Sequence, residues 1–373
     1  MTMAGPTSTT EDALSAALHY CCPKCKGALD EAGEAYRCTA CGASFPVVLG
    51  IPDFRVFPDP YIDFEDDRDK ARRIAERFDD TDFRGLIEYY WSITPTAPDL
   101  VARYVRHAVT GAQRGRRSLA VIEGELPGLI GPDRTFLEFG CGTGGFLVAA
   151  SERFGRVVGL DIAFRWLIAA KKRLQEEGRS AQLICCCGEY LPFREGQCDL
   201  VVASDVIEHT KTQRELIEAA HFALRPGGAF YVATPNRFSL SPEPHVRLFG
   251  VGWLPRSWAK RYVKWRRGIV YDHVRLLSFF EIKRMVGRTS FGKCRIRLPR
   301  FSEEEQAGLS RLELRLVRLY HLVKDWPVVK QVLLLMGPVL QVICVRHQRV
   351  EQAPSLGSGG ERSSAPAARQ AVS

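Results

Sequence analysis

At 373 residues, the chain is longer than one usual core of ~150 residues, so more than one folded unit is expected. A hydrophobic fraction of 46% is ordinary for a globular chain and removes any need for disulfides to hold the core. Lys plus Arg number 52 against 43 Asp plus Glu, a net charge of +9. That balance fits anionic partners such as RNA, acidic lipid headgroups or phosphorylated substrates, without choosing among them. Met1–Thr10 is small and polar with no apolar run, so no secretory leader is expected there. With twelve cysteines that look largely unpaired, a reducing cytoplasm is the expected compartment.

Residues 1–19 are read as a disordered N-terminus and 20–57 as the first folded unit. Its signal is Cys22-Pro23-Lys24-Cys25 followed by Cys38-Thr39-Ala40-Cys41. Two such knuckles on a short ribbon can bring four thiolates to one tetrahedral Zn²⁺, with Gly27 and Gly42 supplying the turns. A single Cys-x-x-Cys would equally suit redox chemistry; two in register favour metal. With Cys22, Cys25, Cys38 and Cys41 as the metal ligands, no position is left for substrate, so the metal would hold the fold. Cys21 is read as a bystander. Residues 20–56, from the first knuckle to Phe45-Pro46-Val47-Val48-Leu49-Gly50-Ile51-Pro52-Asp53-Phe54, resemble the small zinc-binding activator subunit of several tRNA, rRNA and protein methyltransferases. The resemblance implies a recognition or stabilising module.

Residues 58–110 read as a helical linker or lid. A charged amphipathic helix is expected over Asp63–Arg77, and another over Pro98–His107. Tyr89, Tyr90 and Trp91 are candidates to lie over a cofactor, or to pack the linker onto the core.

The main unit, 111–347, begins in earnest at Phe136-Leu137-Glu138-Phe139, a strand that runs into the turn Gly140-Cys141-Gly142-Thr143-Gly144 and a helix over Phe146–Arg153. Closely spaced glycines let backbone pass a ligand where a Cβ would collide. A second strand, Arg156–Asp161, ends in an acid about twenty residues past the first glycine, where a ribose-binding carboxylate belongs. Cys185-Cys186-Cys187 reads as a buried strand end. Then come Glu189-Tyr190-Leu191-Pro192-Phe193, a strand over Cys198–Asp205, the sequence Val206-Ile207-Glu208-His209, a helix, the turn Leu224-Arg225-Pro226-Gly227-Gly228 and a strand over Ala229–Asn236.

In this order and spacing, the glycine turn, the Leu160-Asp161 acid, the Leu191-Pro192-Phe193 turn, the Glu208-His209 pair and the Leu-Arg-Pro-Gly-Gly turn resemble a class I S-adenosylmethionine-dependent methyltransferase, on the branch of the ubiquinone and menaquinone C-methyltransferases. A nicotinamide dehydrogenase would share the glycines and the acid but not the later turns. The resemblance implies an α/β, Rossmann-like seven-stranded sheet and S-adenosyl-L-methionine as cofactor. Gly140, Gly142 and Gly144 would let backbone reach the methionine part. Glu138 would accept from its amino group, and Asp161 would take the ribose hydroxyls. Where the family has an acid to hold the adenine amino group, this chain has Cys187. Adenine contact is therefore expected from the backbone there or from Glu189. Asp205 completes the expected cofactor cleft.

Methyl transfer is an in-line displacement that needs a base only for a protonated nucleophile. Glu208 and His209 are candidates, against a structural, capping role. Residues 237–275 read as an insertion that selects the acceptor, with Glu243, His245 and His273 as further bases or substrate ligands. Trp258, Tyr262 and Trp265 share a helical face beside Arg and Lys, which suits either an anionic membrane surface or a packed aromatic stripe. Ser278 and Glu281 mark a helix start, Cys294–Leu298 the sixth strand, and Ser302–Glu305 the start of a long helix to Asp325. Gly337-Pro338 breaks the apolar run Trp326–Val345 and argues against a membrane span. Pro338–Val345 is then the seventh strand, inserted antiparallel, with 302–336 a second insertion. Residues 348–373 read as a disordered tail.

The expected function is methyl transfer to a small-molecule or lipid-linked acceptor such as a quinone-like compound, a glycolipid or a secondary metabolite, at the inner face of the membrane for a lipid. The alternatives are RNA methylation, with the ribbon as reader, and a non-catalytic scaffold that keeps the cofactor fold.

Overall fold

A computed structural model describes residues 18–96, 98–299, 306 and 311–347. The expected N-terminal tail up to residue 17, the helix start at Ser302–Glu305 and the C-terminal tail lie outside these residues. The ribbon is a four-stranded antiparallel sheet in the order β1 (Leu29–Glu31), β2 (Ala35–Cys38), β3 (Ser44–Val48), β4 (Ile51–Pro52). Four helices follow: α1 (Phe64–Ala75), α2 (Phe83–Ser92), α3 (Pro98–Val109) and α4 (Gly111–Glu125). Asp63 caps α1 by accepting from the amide of Asp66 at 2.9 Å, and Asp82 caps α2 in the same way at Gly85, so each helix begins where a short acid precedes an apolar periodicity.

The second sheet contains β5 (Thr135–Phe139), β6 (Arg156–Asp161), β7 (Gln182–Cys185), β8 (Cys198–Ser204), β9 (Leu224–Pro235), β10 (Phe291–Arg297) and β11 (Val339–Arg346). Its order is β10-β11-β9-β8-β5-β6-β7. β5, β6, β7, β8 and β9 run parallel, and β11 lies antiparallel between β9 and β10. The seven strands and the inverted last one are those the sequence predicts. Helices α5 (Gly145–Ser151), α6 (Phe164–Glu176) and α7 (Gln213–Ala223) cross between the parallel strands. They cover the two faces of β5 and β8, whose side chains are almost wholly buried, as the apolar runs of a two-sided parallel sheet require. The expected turn at Leu224–Gly228 is instead the opening of β9, where the register slips between Cys198 and Leu200 and Gly227 takes a φ of +82°.

After β9 come α8 (Arg256–Arg267) and α9 (Phe279–Val286), then, beyond β10, α10 (Arg311–Val323) and α11 (Pro327–Met336). Ser278 and Glu281 form the expected capping box of α9. Opposite one another on β10 and β11, Cys294 and Cys344 are joined as a disulfide, a pairing the sequence reading did not anticipate; the other ten cysteines are not so joined. No helix among the described residues is long and apolar enough to cross a membrane.

The ribbon is built onto the large sheet. Asp53 bridges in parallel to Cys185, the amide of Phe54 donates to the Cys185 carbonyl at 2.7 Å, and Tyr20 bridges to Phe193. Phe54, wholly buried, meets the rings of Tyr20, Tyr36 and Phe45 at 5.1–5.4 Å. Lys26 donates to the Leu191 carbonyl at 2.6 Å. The Leu191-Pro192-Phe193 turn therefore receives the ribbon.

Candidate functional site

Strand order reverses beside β5, with β6 on one side and β8 on the other, and the crevice outside the carboxyl ends of such strands is where ligands bind in open α/β sheets. A cavity of about 560 Å³ lies there. Its floor is Phe139-Gly140, Leu160-Asp161 and Cys186; one wall is Glu208 and His209, and its far side is Asp272, His273 and Arg275. The remaining wall is Phe57-Pro58-Asp59-Pro60, the strap that leads out of the ribbon. Gly140 has a φ of +63°, and a Cβ on it would stand 2.4 Å from Val206 Cγ2, so only glycine lets β5 turn here.

Asp161 lines the cavity and accepts from the amides of Gly142 at 2.7 Å and Ala163 at 2.8 Å, one on each oxygen. Each oxygen keeps a free lone pair, enough for two hydroxyls. Burial pushes its pKa up to about 6 against those two amide bonds. Glu138 is buried behind the turn with Oε2 unpartnered among the described residues, and desolvation raises its pKa well above the ordinary carboxylate range. Gly142 and Gly144 take φ values of +49° and +72° but do not line the cavity. Glu189 lines it while accepting from the amides of Lys211 and Thr212. The Cys187 thiol turns away and donates to the Phe57 carbonyl at 3.5 Å; Cys186 and Gly188 line the cavity in its place.

The second part of the site joins the candidates from β8 and the insertion. Glu208 is buried, with Oε2 accepting from the Thr234 hydroxyl at 2.9 Å and Oε1 unpartnered among the described residues. His209 Nε2 lies 3.0 Å from His245 Nε2. His245 Nδ1 is hydrogen-bonded to Glu243, whose other oxygen accepts from the Val246 amide at 2.7 Å. The Tyr61 hydroxyl stands 3.4 Å from His209 Nδ1. Desolvation raises Glu208 to about 7 and lowers His209 to about 4. Burial also works against charge on His245, but the Glu243 hydrogen bond and carboxylate outweigh it and raise its pKa. His273 is exposed on the cavity rim, with its ring 5.0 Å from that of Tyr61. Asp205 does not line the main cavity. It sits at φ +55°, a strained conformation for a side chain, in a neighbouring cavity of about 170 Å³ with Asn236 and Glu243.

The four knuckle cysteines also converge. Cys22 and Cys41 Sγ are 3.7 Å apart, Cys25 and Cys38 Sγ 3.5 Å, and all four sulfurs lie within 4.8 Å of one another. Four thiolates at the usual Zn–S length of about 2.3 Å would stand about 3.8 Å apart along each edge of the tetrahedron, so the donor set fits zinc. Cys21 stays outside, its amide on the Pro192 carbonyl. After the first knuckle it is Lys26, at φ +62°, and not Gly27 that makes the tight turn; Gly42 does so after the second. Gly27 is needed for space, since a Cβ there would lie 3.1 Å from Cys38 Sγ.

Tyr89, Tyr90 and Trp91 do not line the cavity. Tyr90 packs at a tilt against Trp166 of α6 with ring centroids 4.2 Å apart, and Trp91 stacks on Tyr104 at 4.7 Å, which is the packing alternative. The cover over the site is the 57–60 strap, which carries no motif. It is held by a buried ion-pair network. Arg55 pairs with Asp53 and Asp67, and Arg165 with Asp59 and Asp67. Arg55 also donates to the Ile162 carbonyl at 3.1 Å on the cavity wall. Buried acids paired with arginines within fifteen residues of Asp53 were the available signal, and the sequence reading passed over it as a charged linker. On α8, Ala259 and Val263 face inward, whereas Trp258 and Trp265 are 62% and 77% exposed. That result removes the packed-stripe alternative for these two residues.

Residues 137–232 match the family described as "Methyltransferase domain". The chain is 28% identical over 174 residues to the ubiquinone biosynthesis O-methyltransferase of Idiomarina loihiensis, over 45% of this chain and 64% of that protein. It is 35% identical over 133 residues to the protein of the same name from Methylobacterium sp., over 33% of this chain and 50% of that one. It thus spans less than two thirds of the length of these curated relatives. Among solved structures it is similar to Haemonchus contortus phosphoethanolamine N-methyltransferase 2 in complex with S-adenosyl-L-methionine, at 22% identity and a TM-score of 0.43, over 62% of this chain and 52% of that one. The matched residues 137–232 lie within the seven-stranded sheet described above.

Proposed function

We propose that the protein transfers a methyl group from S-adenosyl-L-methionine to a small-molecule or lipid-linked acceptor. The observation that carries this reading is one cavity, of a size ordinary for small-molecule sites, with Asp161 on its floor and Glu208 and His209 on its wall. When bound, S-adenosyl-L-methionine supplies a methyl made electrophilic by its sulfonium. Asp161 would accept the ribose hydroxyls, Glu138 would meet the amino end through the glycine turn, and the Phe57–Pro60 strap would exclude water. Glu208, His209 and His245 would face the acceptor. That two of the relatives are named for ubiquinone biosynthesis favours a quinone-like acceptor.

The exposed Trp258 and Trp265 share α8 with Lys260, Arg261, Lys264, Arg266 and Arg267, a composition suited to the interface of an anionic membrane, from which a lipid-linked acceptor would enter. Cys22, Cys25, Cys38 and Cys41 would hold a structural zinc ion, leaving no open position for chemistry. The test is transfer of labelled methyl into a cell extract split into organic-soluble, aqueous, RNA and protein fractions. Label in the organic-soluble or aqueous small-molecule fraction is expected; label confined to RNA or protein would overturn the acceptor class.

A further inference from the structure

We propose that the groove between α10 and α11 holds the hydrocarbon chain of the acceptor, an inference that rests on the methyl-transfer reading above. A cavity of about 220 Å³ lies there, lined among others by Leu298, Leu316, Val317, Leu333 and Pro338, and almost entirely through apolar atoms. Tyr320 borders it with its hydroxyl engaged elsewhere, donating to the Pro299 carbonyl at 2.6 Å. Leu316 is 57% exposed, and Leu312 and Leu319, one turn to either side of it on α10, are 67% and 55% exposed. Leucines left in water at this spacing mark a face that an apolar partner covers.

The groove is preformed. Just past β9, the buried Asn236 side chain donates to the carbonyls of Leu334 and Leu335 at 3.3 and 3.0 Å, and its amide donates to the Pro338 carbonyl at 2.9 Å. These bonds satisfy carbonyls that the last turn of α11 leaves free, and they fix the helix end against the sheet.

Position and charge choose the occupant. Pro338 lines the groove and also the neighbouring cavity that holds Asp205, Asn236 and Glu243, whose other walls include Pro242, Val251 and Leu276. Glu243 is hydrogen-bonded to His245, which stands against His209 on the wall of the main cavity. Shared and bonded residues thus connect the three cavities. An acceptor with its reactive atom beside His209 would pass its chain between Asp205 and Pro338 and end it against Leu316 and Leu333. A second copy of the protein fits this face less well. Arg311, Arg315 and Arg318 are exposed on the same helix as the leucines, and two such faces would bring like charges together.

The experiment uses the full chain with zinc supplied. The probe is N-dodecyl dansylamide, an uncharged alkyl chain on a fluorescent head, added below its micellar range and followed by its fluorescence. One site per chain is expected. Leu316→Glu should bind the probe at least tenfold more weakly at unchanged Tm, whereas Val328→Glu, the same charge on an exposed α11 residue outside the groove, should bind within twofold of the wild type. Transfer of labelled methyl into the organic-soluble fraction should also fall at least tenfold in Leu316→Glu, with affinity for S-adenosylhomocysteine retained. No probe binding by the wild type, or equal binding by Leu316→Glu, would overturn the groove. So would a wild-type dimer that Leu316→Glu converts to monomer, because the occupant would then be a second copy. Organic-soluble label that Leu316→Glu leaves unchanged would overturn the placement of the chain while keeping the proposed function. Probe binding without methyl transfer to any fraction would leave the groove standing and remove that function.

Discussion

Asp67→Asn is the sharpest perturbation of the way this molecule ties its ribbon, helices and cavity together. The Asp67 side chain is fully buried and receives Arg55 Nη1, Arg165 Nη1 and the Phe164 amide, each at 2.7 Å. Three acids, Asp53, Asp59 and Asp67, face three arginines, Arg55, Arg68 and Arg165. Neutralising Asp67 removes the carboxylate that Arg55 and Arg165 share, leaving each buried guanidinium with one acid, Asp53 and Asp59 respectively, and an asparagine amide cannot accept on both sides. Breaking such a pair from one end costs about 3–5 kcal/mol. For a cooperative unit of roughly 300 residues, the unfolding entropy is about 0.6 kcal/mol/K, so a loss of about 4 kcal/mol lowers Tm by about 6 °C. Because Arg55 also holds the Ile162 carbonyl and Arg165 holds Asp59 on the cavity wall, affinity for S-adenosylhomocysteine should fall as well. Thermal unfolding followed by calorimetry, with Asp69→Asn as control, tests this, since Asp69 is exposed and among the described residues pairs with its helical neighbour Arg72. A Tm within about 1 °C of the wild type would refute the idea that this network clamps the strap.

Three further outcomes are expected. Binding of S-adenosylhomocysteine should weaken as pH falls through about 6, because Asp161, raised from 3.8 to about 6, is a charged acceptor only above that range; Asp161→Asn should flatten the profile, and a wild-type profile flat from pH 5 to 8 would remove the assignment. Cys38→Ser should release the ribbon's metal, measured by elemental analysis, and expose the first sixty residues to proteolysis; a metal-free but folded wild type would sink the zinc reading. Replacing Trp258 and Trp265 together by Ser should reduce co-sedimentation with anionic vesicles several-fold without altering Tm, since both side chains are already in solvent; unchanged sedimentation would argue against a membrane face.

Strands β5, β6 and β8 were legible because each is a short apolar run ended by glycine or an acid, and β6 occupies the very span the sequence marks, Arg156–Asp161. The cysteine knuckles were legible by spacing alone. Contacts between units were not. Nothing local to Leu191-Pro192-Phe193 says that it seats a ribbon, nor that Phe57–Pro60 will close a cavity more than eighty residues further along the chain. Tyr90 and Trp91 illustrate the same limit: an aromatic cluster on a helix has a buried face, and only the position of Trp166 decides which. The candidates Glu208, His209, Glu243 and His245 do come together, but His273 is at the rim and Asp205 points to the neighbouring cavity. The insertion folds back onto the turn after β8 through backbone contacts such as Arg275 to Glu208, a pairing invisible to any sequence window.

The most direct test of the central claim is calorimetric titration of S-adenosylhomocysteine into the wild-type protein and Asp161→Ala. The account predicts one site per chain in the wild type and at least tenfold weaker binding in the variant, since two ribose acceptors are lost together. Absence of binding to the wild type, or equal affinity in the two proteins, would contradict it.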